Sequence, residues 1–180
     1  MIDVHNIVKF DRTHDELIEF ATFCVCVAGK SAKTVAAAIN RLDMHELHRL
    51  SEHRLAEKLR SVGIGCYNQK AKTLYQLYNS SLDLRTCSSD DLETIPGIGP
   101  KTSRFFLLYT RPNQDVAVLD THILKFLREQ GVKAPTQTPQ NIKRYKKLEV
   151  AYLSIARAKR ISPLGLDIQE WTEKNARVNQ

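Results

Sequence analysis

No stretch of this chain approaches the roughly 20 consecutive apolar residues that a helix needs to cross a bilayer. The first twenty residues, MIDVHNIVKFDRTHDELIEF, also lack the apolar centre of a secretory signal. Both absences lead to the expectation of an intracellular protein, cytoplasmic or nucleoid-associated and not membrane-bound. Glycine and proline are sparse, seven and six of 180 residues, which excludes collagen-like and low-complexity classes. Cysteine occurs four times, at Cys24, Cys26, Cys66 and Cys87, and only Cys24 and Cys26 lie close together, inside an apolar run. Scattered thiols of this kind read as buried side chains and not as a disulfide framework or a metal site. Alternating apolar patterns are nearly absent as well, so an all-α fold is expected.

What is present in excess is positive charge. Lys and Arg number 27 against 20 Asp and Glu, a formal charge of +7. That balance favours a polyanionic partner, since clustered cations neutralise phosphates and release counterions. Charge alone does not choose between DNA, RNA and an acidic protein.

Helix signals run through most of the chain. Thr13-x-x-Glu16 reads as a capping box that opens a helix through Leu17 to Val27. Ser31 caps the next, with Val35, Ala38, Ile39 and Leu42 at helical spacing. Short helices are expected around 44–50 and 52–61, and a glycine-containing turn at 62–66 precedes a helix from about Asn68 to Tyr78. Ser88 or Ser89 caps a short helix, and Pro96-Gly97-Ile98-Gly99-Pro100 turns tightly into a helix from Lys101 to Tyr109. Asp120 can cap a helix over 121–130, and Thr138-Pro139 is expected to open a long helix reaching about Arg160. Trp171, on a short C-terminal helix, reads as a core anchor tying the chain ends together and less well as a base-stacking platform.

The segment richest in chemistry is Leu92-Glu93-Thr94-Ile95-Pro96-Gly97-Ile98-Gly99-Pro100-Lys101-Thr102-Ser103. Two short helices joined by a glycine hairpin leave backbone N–H groups exposed at a helix start, where the dipole is positive and a phosphate can sit. Gly97, Ile98, Gly99 and Thr102 are the candidate contacts, and they would position a nucleic-acid backbone without reading its sequence.

Ile95 to Ser103, followed by Val118-Leu119-Asp120-Thr121-His122, resembles the helix-hairpin-helix and Gly/Pro-rich-loop-Asp signature of the DNA glycosylase superfamily that contains endonuclease III and 8-oxoguanine glycosylase. Ile64 to Ala71 resembles that superfamily's strand-insertion turn, and the similarity runs from about Leu17 to Leu127. The resemblance implies two helical lobes with a DNA-binding cleft: a central lobe of 29–119, and a second lobe built from 1–28 and 120–180.

In bifunctional members a lysine follows the hairpin, and here that position is Lys101. Its amine, when neutral, can attack the anomeric carbon, expel the base and form a Schiff base that permits β-elimination. A helix N-terminus disfavours a further positive charge there. Asp120 matches the superfamily's catalytic carboxylate and would stabilise the cation-like sugar or assist deprotonation, while also capping its helix. His122 could bind phosphate or be structural. Base excision from a duplex needs a flipped nucleotide and a side chain to fill the gap. Cys66 and Tyr67 stand where relatives place that wedge, although Cys66 is small for it. Lys30 resembles a first DNA-facing loop residue.

The resemblance departs from endonuclease III at the C-terminus. No cysteine follows Cys87, so the iron–sulfur loop is missing and no cofactor is expected. The resemblance adds a monovalent cation on hairpin carbonyls near Ile95 and Ile98, and no other metal. The expected protein is therefore a monomeric DNA glycosylase with abasic-site lyase activity, acting on duplex DNA that carries a damaged base. Rival readings are a glycosylase without lyase activity, a noncatalytic hairpin module, and action on a deliberately modified base. Oxidised purines and oxidised pyrimidines both remain open, with a lean to oxidised bases in general.

Overall fold

The computed structural model describes residues 1–178, with side chains to Thr172. Among the described residues the chain forms ten helices and no strand: α1 (His14–Val27), α2 (Ala32–Ile39), α3 (Met44–Leu47), α4 (Glu52–Ser61), α5 (Tyr67–Tyr78), α6 (Ser89–Leu92), α7 (Pro100–Thr110), α8 (Thr121–Glu129), α9 (Ile142–Ala158) and α10 (Pro163–Val178). Local chemistry sets most of the starts. Thr13 and Glu16 form the reciprocal capping box, and Ser88 forms another with Asp91. Ser31, Ser51 and Asp120 each accept a backbone N–H from their own first turn.

One start differs from the expected place. The long helix α9 begins at Ile142, with Asn141 as its cap, and not at Pro139. The hydroxyl of Thr138 is engaged elsewhere, donating to the carbonyl of Leu119 at 2.8 Å. A competing tertiary hydrogen bond has taken the side chain that would have capped the helix.

The apolar residues separate into two clusters. The larger draws on 2–118 and includes Phe20, Phe23, Leu55, Leu59, Leu74 and Phe106. The smaller draws on 117–166 and includes Leu119, Leu124, Leu127, Tyr145 and Tyr152. Helix α1 sits in the larger one, against α2, α5 and α7. The apolar side chains of α1 thus belong to the larger cluster, while those drawn from 117–166 supply the smaller. Eight residues of α1 are buried, from Leu17 to Cys26, and a helix apolar on nearly all sides has to lie in the middle of a lobe. Full burial of Phe20 and of Phe23 contributes about 1.5–3 kcal/mol each.

Trp171 is also not the buried anchor expected of it, being 37% exposed. On α10 the inward stripe is Leu166, Asp167 and Glu170, and Trp171 falls at its edge. The N-terminal segment is instead held by Arg12. Its guanidinium donates to the carbonyls of Ile7 (2.6 Å) and Tyr109 (3.0 Å) and lies 4.2 Å from the centre of the Phe20 ring. Cys24, Cys26 and Cys87 are buried free thiols, whereas Cys66 is exposed. Among the described residues no helix is long and apolar enough to cross a membrane.

Candidate active site

Helix α6, the turn 93–99 and helix α7 form the hairpin read from the sequence. Gly97 has φ +96°, and a Cβ there would lie 2.0 Å from Oγ1 of Thr73. Only glycine fits that position without displacing its neighbour. Thr73 uses the proximity by donating to the carbonyl of Pro96 at 3.0 Å, which docks α5 onto the hairpin. Ile95 and Ile98 turn their side chains into the core, so only the backbone of Ile98 is available to a ligand.

Gly99 is the N-cap of α7, with extended backbone and no side-chain capping bond, and space is open around it. Proline at the first helical position has no N–H to satisfy. The backbone amides of Lys101 and Thr102 then point out of the helix start with no protein acceptor among the described residues. Open amides at the start of an 11-residue helix are an arrangement that can take an anion.

Lys101 occupies the second position of α7 and is half-buried. Its side chain has no hydrogen bond or ion pair within the described residues. Asp120 caps α8 by accepting the N–H groups of His122 and Ile123 on Oδ1, both at 2.8 Å. Its Oδ2 accepts no hydrogen bond from the described residues, so a single oxygen does the capping. The backbone N–H of His122 serves Asp120, and its ring lies at the exposed start of α8.

The other predicted residues gather at a second place. The α1–α2 loop meets the α4–α5 turn, where Nζ of Lys30 lies 3.1 Å from the position of a Cβ on Gly65. Cys66 forms the exposed tip of that turn in the left-handed conformation, φ 54°. Tyr67 is less free, being half-buried with the Arg60 guanidinium 5.7 Å from its ring centre. Beneath this turn Lys70 donates to the carbonyl of Cys26 at 2.6 Å, and burial pulls its ammonium below the usual lysine range.

Several residues of this region are not apparent from sequence spacing. Arg104, one turn beyond Lys101, is 2% exposed and joins Glu93 of the hairpin to Glu149 of α9. Tyr109, near the end of α7, donates to Oδ2 of Asp167 at 2.6 Å. Burial pushes the Asp167 carboxyl up to about 7, against the lowering effect of the Tyr109 hydrogen bond, with the charge of Asp120 adding to the rise. Among the described residues no group of three or more His, Cys, Asp and Glu could hold a metal ion.

Residues 3–161 match the family model described as 8-oxoguanine DNA glycosylase. The chain belongs to the 8-oxoguanine DNA glycosylase family. It is 27% identical over 178 residues to the 8-oxoguanine DNA glycosylase/AP lyase of Thermotoga sp. (strain RQ2), covering 94% of this chain and 85% of that one. It is 29% identical over 137 residues to the enzyme of the same description from Sulfurisphaera tokodaii, covering 68% and 66%.

The crystal structure of the 8-oxoguanine DNA glycosylase of Thermotoga maritima superimposes with a TM-score of 0.75 at 26% identity, over 89% of this chain and 80% of that one. The Methanocaldococcus jannaschii 8-oxoguanine glycosylase/lyase, crystallised with 15mer DNA containing 8-oxoguanine, gives a TM-score of 0.79 at 20% identity, over 96% and 87%. The latter likeness speaks to fold alone. The helix-hairpin-helix glycosylase reading and the all-helical architecture are thus both upheld for this family member.

Proposed function

We propose that this protein excises 8-oxoguanine from duplex DNA and cleaves the resulting abasic site, with Lys101 as nucleophile and Asp120 as the assisting carboxylate. The observation that carries the reading is a half-buried lysine, without a partner among the described residues, at the start of α7, directly after a hairpin whose amides are open to phosphate, in a chain of the 8-oxoguanine DNA glycosylase family. Family membership narrows the oxidised base that the residues alone left open.

The hairpin and the first amides of α7 hold a phosphate and so set the register of the strand. The target nucleotide is flipped into the region between the two core clusters, where Lys101 comes from one and Asp120 begins the other. The neutral amine of Lys101 attacks C1′ as the base leaves. The ammonium so formed loses a proton and the C1′–O4′ bond opens, O4′ taking up a proton, to give a Schiff base; removal of a C2′ proton then lets β-elimination break the C3′–O bond to the 3′ phosphate. The free oxygen of Asp120 stabilises positive charge developing on the sugar. Cys66, Tyr67 and Lys30 face the space vacated in the helix and the orphaned strand, with Cys66 at the tip. Gly97, Ile98, Gly99 and Thr102 contact phosphate, Ile98 through its backbone, and His122 stands beside the sugar.

A monovalent cation fits the hairpin: the carbonyl of Ile98 accepts no protein hydrogen bond among the described residues, and that of Ile95 accepts one, from the N–H of Ile98. The carbonyls of Ile95 and Ile98 would hold such an ion, which would supply positive charge for phosphate binding at the hairpin. No other cofactor enters the reaction, and the protein acts as a monomer inside the cell. The test is a panel of duplexes, each with one modified base: the 8-oxoguanine duplex should be cut fastest, and strand cleavage should accompany excision without added lyase. Excision of only another base overturns the substrate, and excision without strand cleavage overturns the lyase.

A further inference from the structure

The approach to Asp120 is a buried segment, 117–119, outside any helix and with no strand among the described residues to pair with. Its backbone groups must nonetheless be satisfied, because an orphaned buried N–H or C=O is costly. Side chains do this. The N–H of Ala117 donates to Oε1 of Glu149 at 3.0 Å, and its carbonyl accepts from the hydroxyl of Tyr145 at 2.7 Å. The N–H of Leu119 donates to the same tyrosine oxygen at 3.1 Å, and the Leu119 carbonyl accepts from Thr138.

Glu149 does not end there. Its Oε1 also accepts from Nε of Arg104 at 3.2 Å, and Arg104 stands on α7 one turn after Lys101. The guanidinium, 5.1 Å from the centre of the Tyr145 ring, donates to Glu93 and to the hydroxyl of Ser103 as well. A single buried cation therefore touches the hairpin, the helix of the nucleophile and the helix that holds the carboxylate's segment.

We infer that Arg104 and Glu149 are positioning residues that fix Asp120 relative to Lys101 across the boundary between the two core clusters. Neither reaches substrate; each acts through the backbone it holds. The inference rests on the roles assigned above to Lys101 and Asp120. A fork of planar donors suits the task, since it locks two carboxylates in direction as well as distance. A displacement of about 1 Å at reacting groups can cost on the order of 10²-fold in rate, so a link of this kind acts on the chemical step more than on binding.

Removing one partner alone strands a buried charge and endangers folding. The test therefore uses Arg104→Met with Glu149→Gln, which breaks the link but leaves an amide oxygen for the N–H of Ala117. The readout is single-turnover excision at saturating enzyme, beside DNA affinity and thermal unfolding. Excision should fall about 10- to 100-fold, with affinity for the 8-oxoguanine duplex held within about threefold. Arg104→Lys, which keeps the buried charge and loses the fork, reads the same quantity if the double variant loses cooperative unfolding. It should show a smaller loss in the same direction. Wild-type excision rates in a folded variant of either kind overturn the inference while leaving the proposed function intact. Absence of excision by the wild-type protein overturns the proposed function, and the inference falls with it.

Discussion

The hydroxyl of Tyr109 donates a 2.6 Å hydrogen bond to Oδ2 of Asp167, joining α7, the helix that carries Lys101, to α10. Asp167 is buried, and the negative charge of Asp120 acts on it.

That pairing predicts how stability depends on pH. Burial raises the folded-state pKa of Asp167 to about 7, above the about 3.9 of a free aspartate. The folded protein thus holds a proton that the unfolded chain releases. Its stabilising contribution is complete below about pH 4 and is lost as pH rises through 7, at up to about 1.4 kcal/mol per pH unit. Asp167→Asn cannot ionise and still offers Tyr109 an acceptor. Denaturant titrations from pH 5 to 8 should show the variant gaining stability relative to wild type as pH increases; parallel curves would contradict this.

Gly97→Ala should destabilise the fold by about 1–3 kcal/mol, combining a positive φ with the clash on Thr73. Because the same residue shapes the phosphate-binding turn, affinity for undamaged duplex should fall too. Adding Thr73→Ala removes the 2.0 Å overlap with Oγ1 but leaves a Cβ at 3.1 Å and the backbone strain, and it loses the hydrogen bond to Pro96, so it should restore only part of the loss. Full recovery would contradict a contribution from the strained backbone.

Asp120→Asn separates capping from catalysis. Asparagine caps a helix nearly as well, so stability to unfolding should change little, by about a few tenths of a kcal/mol at most. Loss of the negative charge should slow single-turnover excision by about 10²-fold or more. On a preformed abasic site the defect should be smaller, since no base has to be expelled. Wild-type excision by this variant would leave Asp120 with its cap alone.

These residues also show where the sequence was readable. Thr13 with Glu16, Ser31, and Asp120 with Ile123 act within one helical turn, so their spacing discloses them. Gly97 and Lys101 belong to a contiguous hairpin and are equally visible. Thr138 misleads because its hydroxyl reaches Leu119, which no local pattern announces. Trp171 misleads because large apolar residues are buried on average, whereas its place at the edge of the α10 stripe depends on how that helix is rotated. The placement of α1 was in principle readable, since its burial on nearly every side exceeds what a peripheral helix offers. Arg104 with Glu149, 45 positions apart, and Tyr109 with Asp167, 58 apart, become partners only when the helices pack.

The proposed mechanism stands on a covalent bond between Lys101 and the sugar, and borohydride trapping detects that bond directly. With an 8-oxoguanine duplex and sodium borohydride, the wild-type protein should yield a stable protein–DNA adduct that migrates as one band under denaturing conditions. Lys101→Gln should retain binding to the duplex, since the hairpin amides are unchanged, and should give no adduct. An adduct formed equally well by Lys101→Gln would contradict the account.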